Sequence, residues 1–240
     1  MTRLSFTRRA AILAASAFTL VACGNGDDGA TANPISGSDA NEMSLGSADA
    51  PLVLVEYASI TCPHCKSFHE DVMPTIKTNY IETGQLRYVF YDFPTPPVNI
   101  AVAGAAIGRC AGSDKFFDVL DDLFENQAGI MSAARAGAAK GALEAVAARH
   151  GLDSAAFDSC LENTDIRRAI SDGVQRGESL GVRSTPSLFL NGTELTTVAS
   201  RTPDGLSAII DEALGIEPEP ETEDNQDESN NEASDTSDGE

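Results

Sequence analysis

The sequence predicts an α/β fold interrupted by an all-helical insertion, and three observations carry that prediction. Apolar, β-branched runs at residues 52–57, 86–93 and 182–190 have the length and composition of buried strands. Helical spacing follows the first run and returns after the last. Between them, residues 98–181 carry helical patterns and no strand-like run.

The first strand starts after Pro51, and five of residues 52–57 are apolar or aromatic, the exception being Glu56. Thr61 is placed to cap the helix that follows. Pro63 is tolerated in a first turn, where backbone N–H groups lack intrahelical partners. Phe68, Val72, Ile76 and Tyr80 recur every four residues and give that helix a buried face. Pro74 in its middle predicts a kink, because the ring clashes with the preceding turn. Gly84 ends the connection, and Pro94, Pro96 and Pro97 close the second strand.

In the insertion, residues 98–110 are nearly all Ala, Gly, Val and Ile, a helix apolar on all sides and therefore buried. Phe116, Leu120 and Leu123 line one face of a second helix. Residues 142–150 form a third, stopped by Gly151 in the left-handed region. Asp153 caps a short fourth that ends near Cys160, and Ile166, Ile170 and Val174 mark a fifth. After Gly181, the run at 182–190 leads into Asn191-Gly192, a hairpin signal because both residues tolerate positive φ. Residues 193–197 are expected to supply the return strand. Thr202 caps a last helix, with Pro203 at its first position and Gly215 after its end.

The termini have another character. Arg3, Arg8 and Arg9 precede a short apolar core at residues 10–22, and no acidic residue appears before Asp27. That pattern is an export signal, too short to cross roughly 30 Å of hydrocarbon. Leu20-Val21-Ala22-Cys23 resembles the bacterial lipobox, which implies cleavage before Cys23 and a lipid on it. Thr7-Arg8-Arg9 also resembles a weak twin-arginine signal, so the export route stays open. Residues 23–46 are mostly Gly, Asp, Asn, Ser and Ala and read as a flexible tether with a coil reach of roughly 25–30 Å. The formal net charge is −21, which argues against a nucleic-acid partner. Residues 217–240 hold 11 Asp and Glu and no Lys or Arg, the composition of a solvated, disordered tail. The globular body is therefore residues 47–97 and 182–216, with 98–181 inserted.

Five cysteines are present. With Cys23 reserved for lipid, Cys62, Cys65, Cys110 and Cys160 remain in an oxidising compartment. Cys62-Pro63-His64-Cys65 falls in the first turn of the first helix. Cys110 and Cys160 both fall in the insertion, where they pair or stay as two buried thiols. Cys62, Cys65 and His69 could be read as zinc ligands, but no fourth ligand is evident, and no metal or cofactor is expected.

The order strand–helix–strand, helical insertion, strand–hairpin–helix, with C-x-x-C opening the first helix and Thr185-Pro186 before the hairpin, resembles a thioredoxin-like fold. More narrowly, the chain resembles the DsbA-like thiol–disulfide oxidoreductases. Cys62-Pro63-His64-Cys65 matches that family's active-site motif, Thr185-Pro186 its cis-proline loop, and Glu56 its buried acidic residue. The chain departs from the family's periplasmic members in its lipobox, its acidic tail and its extra cysteine pair.

The resemblance implies a dithiol oxidase, a monomer on a lipid anchor in the cell envelope. Its substrates would be exported proteins with cysteines, and a membrane partner would reoxidise or reduce it. Cys62 would be the attacking sulfur, exposed and held as a thiolate by the helix N-terminus and by His64. Cys65 would resolve, Glu56 would accept its proton, and Thr185 would pair with an extended substrate. A reductase or isomerase of the same fold, or a peptide-binding lipoprotein without catalysis, are the alternatives.

Overall fold

The computed structural model describes residues 42–216. The export signal, Cys23 and the acidic tail lie outside the described residues.

Five strands form one sheet in the order β1-β3-β2-β4-β5. They are β1 (Met43–Leu45), β2 (Leu52–Ala58), β3 (Leu86–Asp92), β4 (Ser187–Leu190) and β5 (Thr193–Glu194). β2 is central, parallel to β3 and antiparallel to β4. A residue at its middle is therefore enclosed on both flanks, and Glu56 sits there, opposite Phe90 on one side and Leu188 on the other.

Because side chains alternate along a strand, the sheet sorts its residues onto two faces. Leu54, Ala58, Tyr88, Phe90 and Leu188 join the main core under the first helical segment. Val55, Tyr57, Val89, Tyr91 and Phe189 form a second core on the opposite face. Glu56, two residues from Leu54 and from Ala58, shares the face of the main core.

The first helical segment is irregular. α1 (Pro63–Ser67) runs into a π-helical turn (Phe68–Val72), then α2 (Met73–Ile76), then a second π-helical turn (Lys77–Ile81). The expected kink at Pro74 takes this form. The Met73 N–H reaches back five residues to the Phe68 carbonyl, and the wider turn accommodates a ring that cannot donate. The helix is not capped by Thr61. Cys62 occupies the N-cap with no side-chain cap, while the Thr61 hydroxyl donates to the Thr95 carbonyl at 2.8 Å.

The insertion holds six helices, one more than the pattern suggested: α3 (Val98–Cys110), α4 (Phe116–Glu125), α5 (Gln127–Arg135), α6 (Ala139–Arg149), α7 (Ser154–Glu162) and α8 (Thr164–Ser179). The additional one is α5. Its sequence, Gln-Ala-Gly-Ile-Met-Ser-Ala-Ala-Arg, has a single fully apolar anchor in Ile130 and shows no clear stripe. α3 packs against α4, α7 and α8, and a Cys110–Cys160 disulfide joins it to α7, with the Cα atoms 5.8 Å apart. The Asp153 side chain accepts from the Ala156 N–H, as its position before the helix suggested.

An ion pair and a close steric approach are among the contacts that fasten insertion to sheet. Arg109 Nε on α3 donates to Asp92 Oδ2 at the end of β3, 2.7 Å away, with both side chains buried. On the opposite face α8 comes so close that a Cβ on Gly177 would stand 3.0 Å from ring atoms of Phe93 and Tyr57.

The segment expected to be a tether, residues 23–46, ends in a strand. Met43–Leu45 forms β1, antiparallel to β3, and Met43 and Leu45 pack on the main core. Three residues cannot show periodicity, which is why the strand is invisible in the sequence. The return strand of the hairpin is shorter than 193–197. Asn191 (φ 45°) and Gly192 (φ 86°) make the tight turn, and pairing ends at Glu194. α9 (Pro203–Leu214) follows, with the Thr202 hydroxyl accepting from the Gly205 N–H and Gly215 in the left-handed region.

Candidate active site

Cys62 closes the loop from β2 and opens α1, so its sulfur lies among the N–H groups that a helix leaves unpaired. Its thiol is held down to about 5. The main cause is the hydrogen bond donated by the Cys65 thiol. Thr185 adds a further side-chain hydrogen bond, and the backbone N–H groups of Cys65 and His64 complete the cradle. His64 thus acts on Cys62 through its main chain, and its side chain is exposed. Across the loop, the Cys62 thiol meets the Thr185 carbonyl at 3.3 Å, beside the cis Thr185-Pro186 bond.

Cys65 is fully buried. Burial pushes its thiol far above the ordinary range, its donation to Cys62 adds to this, and the Glu56 carboxylate pushes it further. Two cysteines three residues apart are therefore driven in opposite directions. Cys62 is itself 7% exposed, less open than the motif suggested. Next to it, on the Thr185 side, lies a groove of about 420 Å³ lined by His64, Phe68, Asp71, Thr185, Pro186 and Arg201 among others.

The turn before Cys62 is pinned by polar contacts. Ser59 Oγ and Thr61 Oγ1 are 2.9 Å apart, and the Thr95 N–H donates to Ser59 Oγ at 3.1 Å. From α5, Gln127 Nε2 donates to the carbonyls of Ile60 and Cys62 at 2.8 and 2.9 Å. The insertion therefore reaches the active-site loop directly.

Behind the cysteines, Glu56 is completely buried. Its Oε2 accepts from Tyr88 Oη and lies 3.1 Å from His69 Nε2. His69 Nδ1 faces Asp121 at 3.7 Å. Burial alone would push the His69 imidazolium down. The charge of Glu56, followed by Asp121, outweighs burial and lifts it to about 9. Both ring nitrogens are thus engaged away from the cysteines, which removes His69 from any ligand set with Cys62 and Cys65.

The family model described as Thioredoxin matches residues 38–212. The chain belongs to the thioredoxin family. A relative from Rickettsia bellii, with protein-disulfide oxidoreductase in its name, is 27% identical over 180 residues, 73% of this chain and 66% of that one. A Bacillus cereus relative named for disulfide bond formation (protein D) is 29% identical over 181 residues, 72% and 79% of the two chains. The chain thus spans just under two thirds of the rickettsial relative and more of the Bacillus one. The crystal structure of Wolbachia pipientis α-DsbA1 superposes with a TM-score of 0.65 at 26% identity, covering 73% of this chain and 92% of that one. The expected thioredoxin-like fold and its DsbA-like character are borne out.

Within this thioredoxin-family site the structure brings together Cys62, Cys65, Thr185, Pro186 and, through Cys65, Glu56. Pro63 and the His64 side chain are exposed at the rim. Tyr88 and Gln127 escaped the sequence reading, and His69, weighed there as a zinc ligand, stands instead against Glu56. His69 carries a usable signal: it stands four residues after Cys65, hence on the same helical face, toward the strand that bears Glu56. Tyr88 could have been found as the β3 residue beside Glu56 on the same face, since Phe90 is the register partner of Glu56. Gln127 carries no local signal at all.

Proposed function

We propose that the protein is a thiol–disulfide oxidoreductase that works as a dithiol oxidase on exported proteins, through the Cys62–Cys65 pair. The observation that carries this reading is the opposition between the two cysteines. A Cys62 thiolate stabilised at neutral pH stabilises the reduced state, so the disulfide is a strong oxidant.

In the oxidative half-reaction a substrate thiolate attacks the Cys62 sulfur of the disulfide. The Cys62–Cys65 bond breaks, and Cys65 leaves as a thiolate. Glu56 gives it a proton, since a thiol so strongly disfavoured as an anion cannot stay charged. A second substrate thiolate then attacks the substrate sulfur of the mixed disulfide, and Cys62 leaves as the stabilised thiolate. Substrate has lost two electrons and the pair has gained them. Thr185, which lines the groove and lies against Cys62, offers its main chain to an extended substrate.

Cys23 would carry the lipid that holds the domain to a bilayer in the cell envelope, with a membrane partner to restore the disulfide. Among the described residues no helix is long and apolar enough to cross a membrane. A Cys23→Ser variant should move from the membrane fraction to the soluble one.

The direction of electron flow is tested by equilibrating the pair with a glutathione buffer. A potential well above about −270 mV, the value of thioredoxin, supports the oxidase, and a value at or below it assigns a reductase.

A further inference from the structure

We propose that His69 and Asp121 form a proton port for Cys65, opening on the side of the domain opposite the substrate groove. The inference rests on Glu56 as the proton acceptor of Cys65.

A second cavity, of about 480 Å³, lies behind the active site and is lined by His69, Met73, Lys77, Tyr88, Phe124 and Asp121 among others. It shares no lining residue with the groove beside Thr185. Phe68 faces the groove and its neighbour His69 the cavity. The two openings are thus on different sides of the same helical turn. A substrate seated over Cys62 covers the groove and leaves the cavity open.

The groups between Cys65 and that cavity form a chain. Glu56 Oε2 is occupied by Tyr88 and His69. Its other oxygen, Oε1, is buried without a hydrogen-bond partner among the described residues, and Cys65 feels the carboxylate's charge. Oε1 is the oxygen with room for a proton. His69 contacts Glu56 with Nε2 and Asp121 with Nδ1, and the Asp121 side chain is 66% exposed. One ring therefore joins a sealed carboxylate to a carboxylate in water.

The groups facing His69 are Glu56 on β2, Tyr88 on β3 and Asp121 on α4. Glu70, Lys77 and Glu125 stand around the cavity. Aromatic rings of Phe90 and Phe124 pack on the imidazole. No cation among these lies against Glu56 except His69 itself.

The proton balance follows. In the reduced protein Glu56 is a carboxylate and His69 an imidazolium. During reoxidation the Cys62 thiolate attacks a disulfide and forms a mixed disulfide. Cys65 must then lose its proton to attack Cys62 and expel the other thiolate. That proton passes to Glu56, and His69 releases its Nδ1 proton to Asp121 and the solvent of the cavity. In substrate oxidation the sequence reverses: Glu56 returns a proton to the Cys65 thiolate while His69 takes one up through Asp121. The Glu56–His69 pair is neutral overall in both states, so the transfer leaves no net charge in the core. One proton crosses the cavity mouth for each two-electron step.

His69 and Asp121 act through Glu56 and are positioning residues, so the test must read more than activity. Reduced full-length protein is mixed with oxidised glutathione, and quenched samples are resolved by mass spectrometry into thiol, Cys62–glutathione mixed disulfide and Cys62–Cys65 disulfide. In Asp121→Asn and His69→Ala, the ratio of the second step to the first should fall about tenfold near neutral pH. Added imidazole should restore the second step in His69→Ala only, entering from the cavity. Asp121 is exposed, so Asp121→Asn decides the matter if the histidine variant fails to fold. An unchanged second step in Asp121→Asn, or a slowed one in His69→Ala that imidazole leaves slow, overturns the port. Glu56→Gln separates the two readings. If it slows the second step while the port variants do not, only the port fails; if it too is unchanged, the proton-acceptor reading fails.

Discussion

Gln127, on a helix of the insertion, holds Cys62 by its carbonyl: one amide nitrogen donates to the Cys62 oxygen at 2.9 Å and to the Ile60 oxygen at 2.8 Å. These two carbonyls belong to the loop that must end where α1 begins; the Cys62 carbonyl also accepts from the Lys66 N–H at 3.2 Å, the first bond of the helix ladder, and Gln127 is its second donor. Gln127 is buried, so its contacts are shielded from water. A Gln127→Leu substitution would take the side-chain donor from the Ile60 carbonyl and one of two donors from the Cys62 carbonyl, in an apolar setting, at a cost of about 1–3 kcal/mol. Urea unfolding of the oxidised protein should show that loss. The loosened loop should also raise the Cys62 thiol toward its ordinary value, which the pH dependence of its alkylation would report.

A second point where the insertion meets the loop is steric. A Cβ on Gly104 of α3 would stand 2.7 Å from Ile60 Cγ1 and 2.9 Å from Cδ1, inside any real contact. Ile60 is itself buried, two residues before Cys62, and cannot swing into solvent. Gly104→Ala should therefore destabilise the fold by about 1–3 kcal/mol through overpacking, measured as a lower thermal midpoint. A stability equal to the parent's would mean that the helix can shift away without consequence.

What the sequence reveals of this site follows the range of the interactions. Cys62, Pro63, His64 and Cys65 are contiguous, and strand-then-helix periodicity places them without any tertiary information. Glu56 announces itself as the one charge in an apolar run, and the structure places it on the central strand, sealed at both flanks. Thr185 and Pro186 are readable because a proline at a strand's entrance is conspicuous. Gln127 is not readable, since an amide in a weakly amphipathic stretch acquires meaning only when α5 folds over the loop. His69 lies between these cases. Its spacing from Cys65 is local, but its partner Asp121 comes from α4, and only tertiary packing brings the two rings of contact together. β1 was hidden for a different reason: three residues added to a sheet edge gain their conformation from β3, not from their own pattern.

The Cys110–Cys160 disulfide closes a loop of 50 residues in the sequence. In the chain-entropy description such a cross-link restricts the unfolded chain by about 4 kcal/mol. The double variant Cys110→Ala, Cys160→Ala should be less stable by up to that amount, measured by denaturant unfolding with the Cys62–Cys65 pair kept oxidised in both proteins. Because the bridge ties α3 to α7 and does not touch the active-site loop, the Cys62 thiol should keep its low value in the same variant. A shift there would show that the bridge reaches the site through α3.

The last expectation concerns pH and has a definite sign. The Cys62 thiol has an ordinary value of 9.0 and is lowered to about 5 in the folded, reduced protein. A depressed value means that the folded state binds the proton less tightly than the unfolded chain does, so stability rises with pH while the unfolded thiol is still protonated. The thiolate's contribution is complete above pH 9, shrinks as pH falls from 9 toward 5, and is absent below 5. The disulfide form has no such group at Cys62. The stability of the reduced protein relative to the oxidised one should therefore grow between pH 5 and pH 9, and parallel denaturant titrations of the two forms would measure it. Cys65 stays a thiol in the folded protein and is protonated in the unfolded chain over most of this window, so it opposes the gain only as pH approaches 9.0, where the unfolded thiol ionises. The Glu56–His69 pair holds one proton between its two members in both forms and cancels from the difference. A reduced-minus-oxidised stability that stays flat across that range would mean that Cys62 titrates as an ordinary thiol, and the argument for an oxidising pair would lose its physical basis.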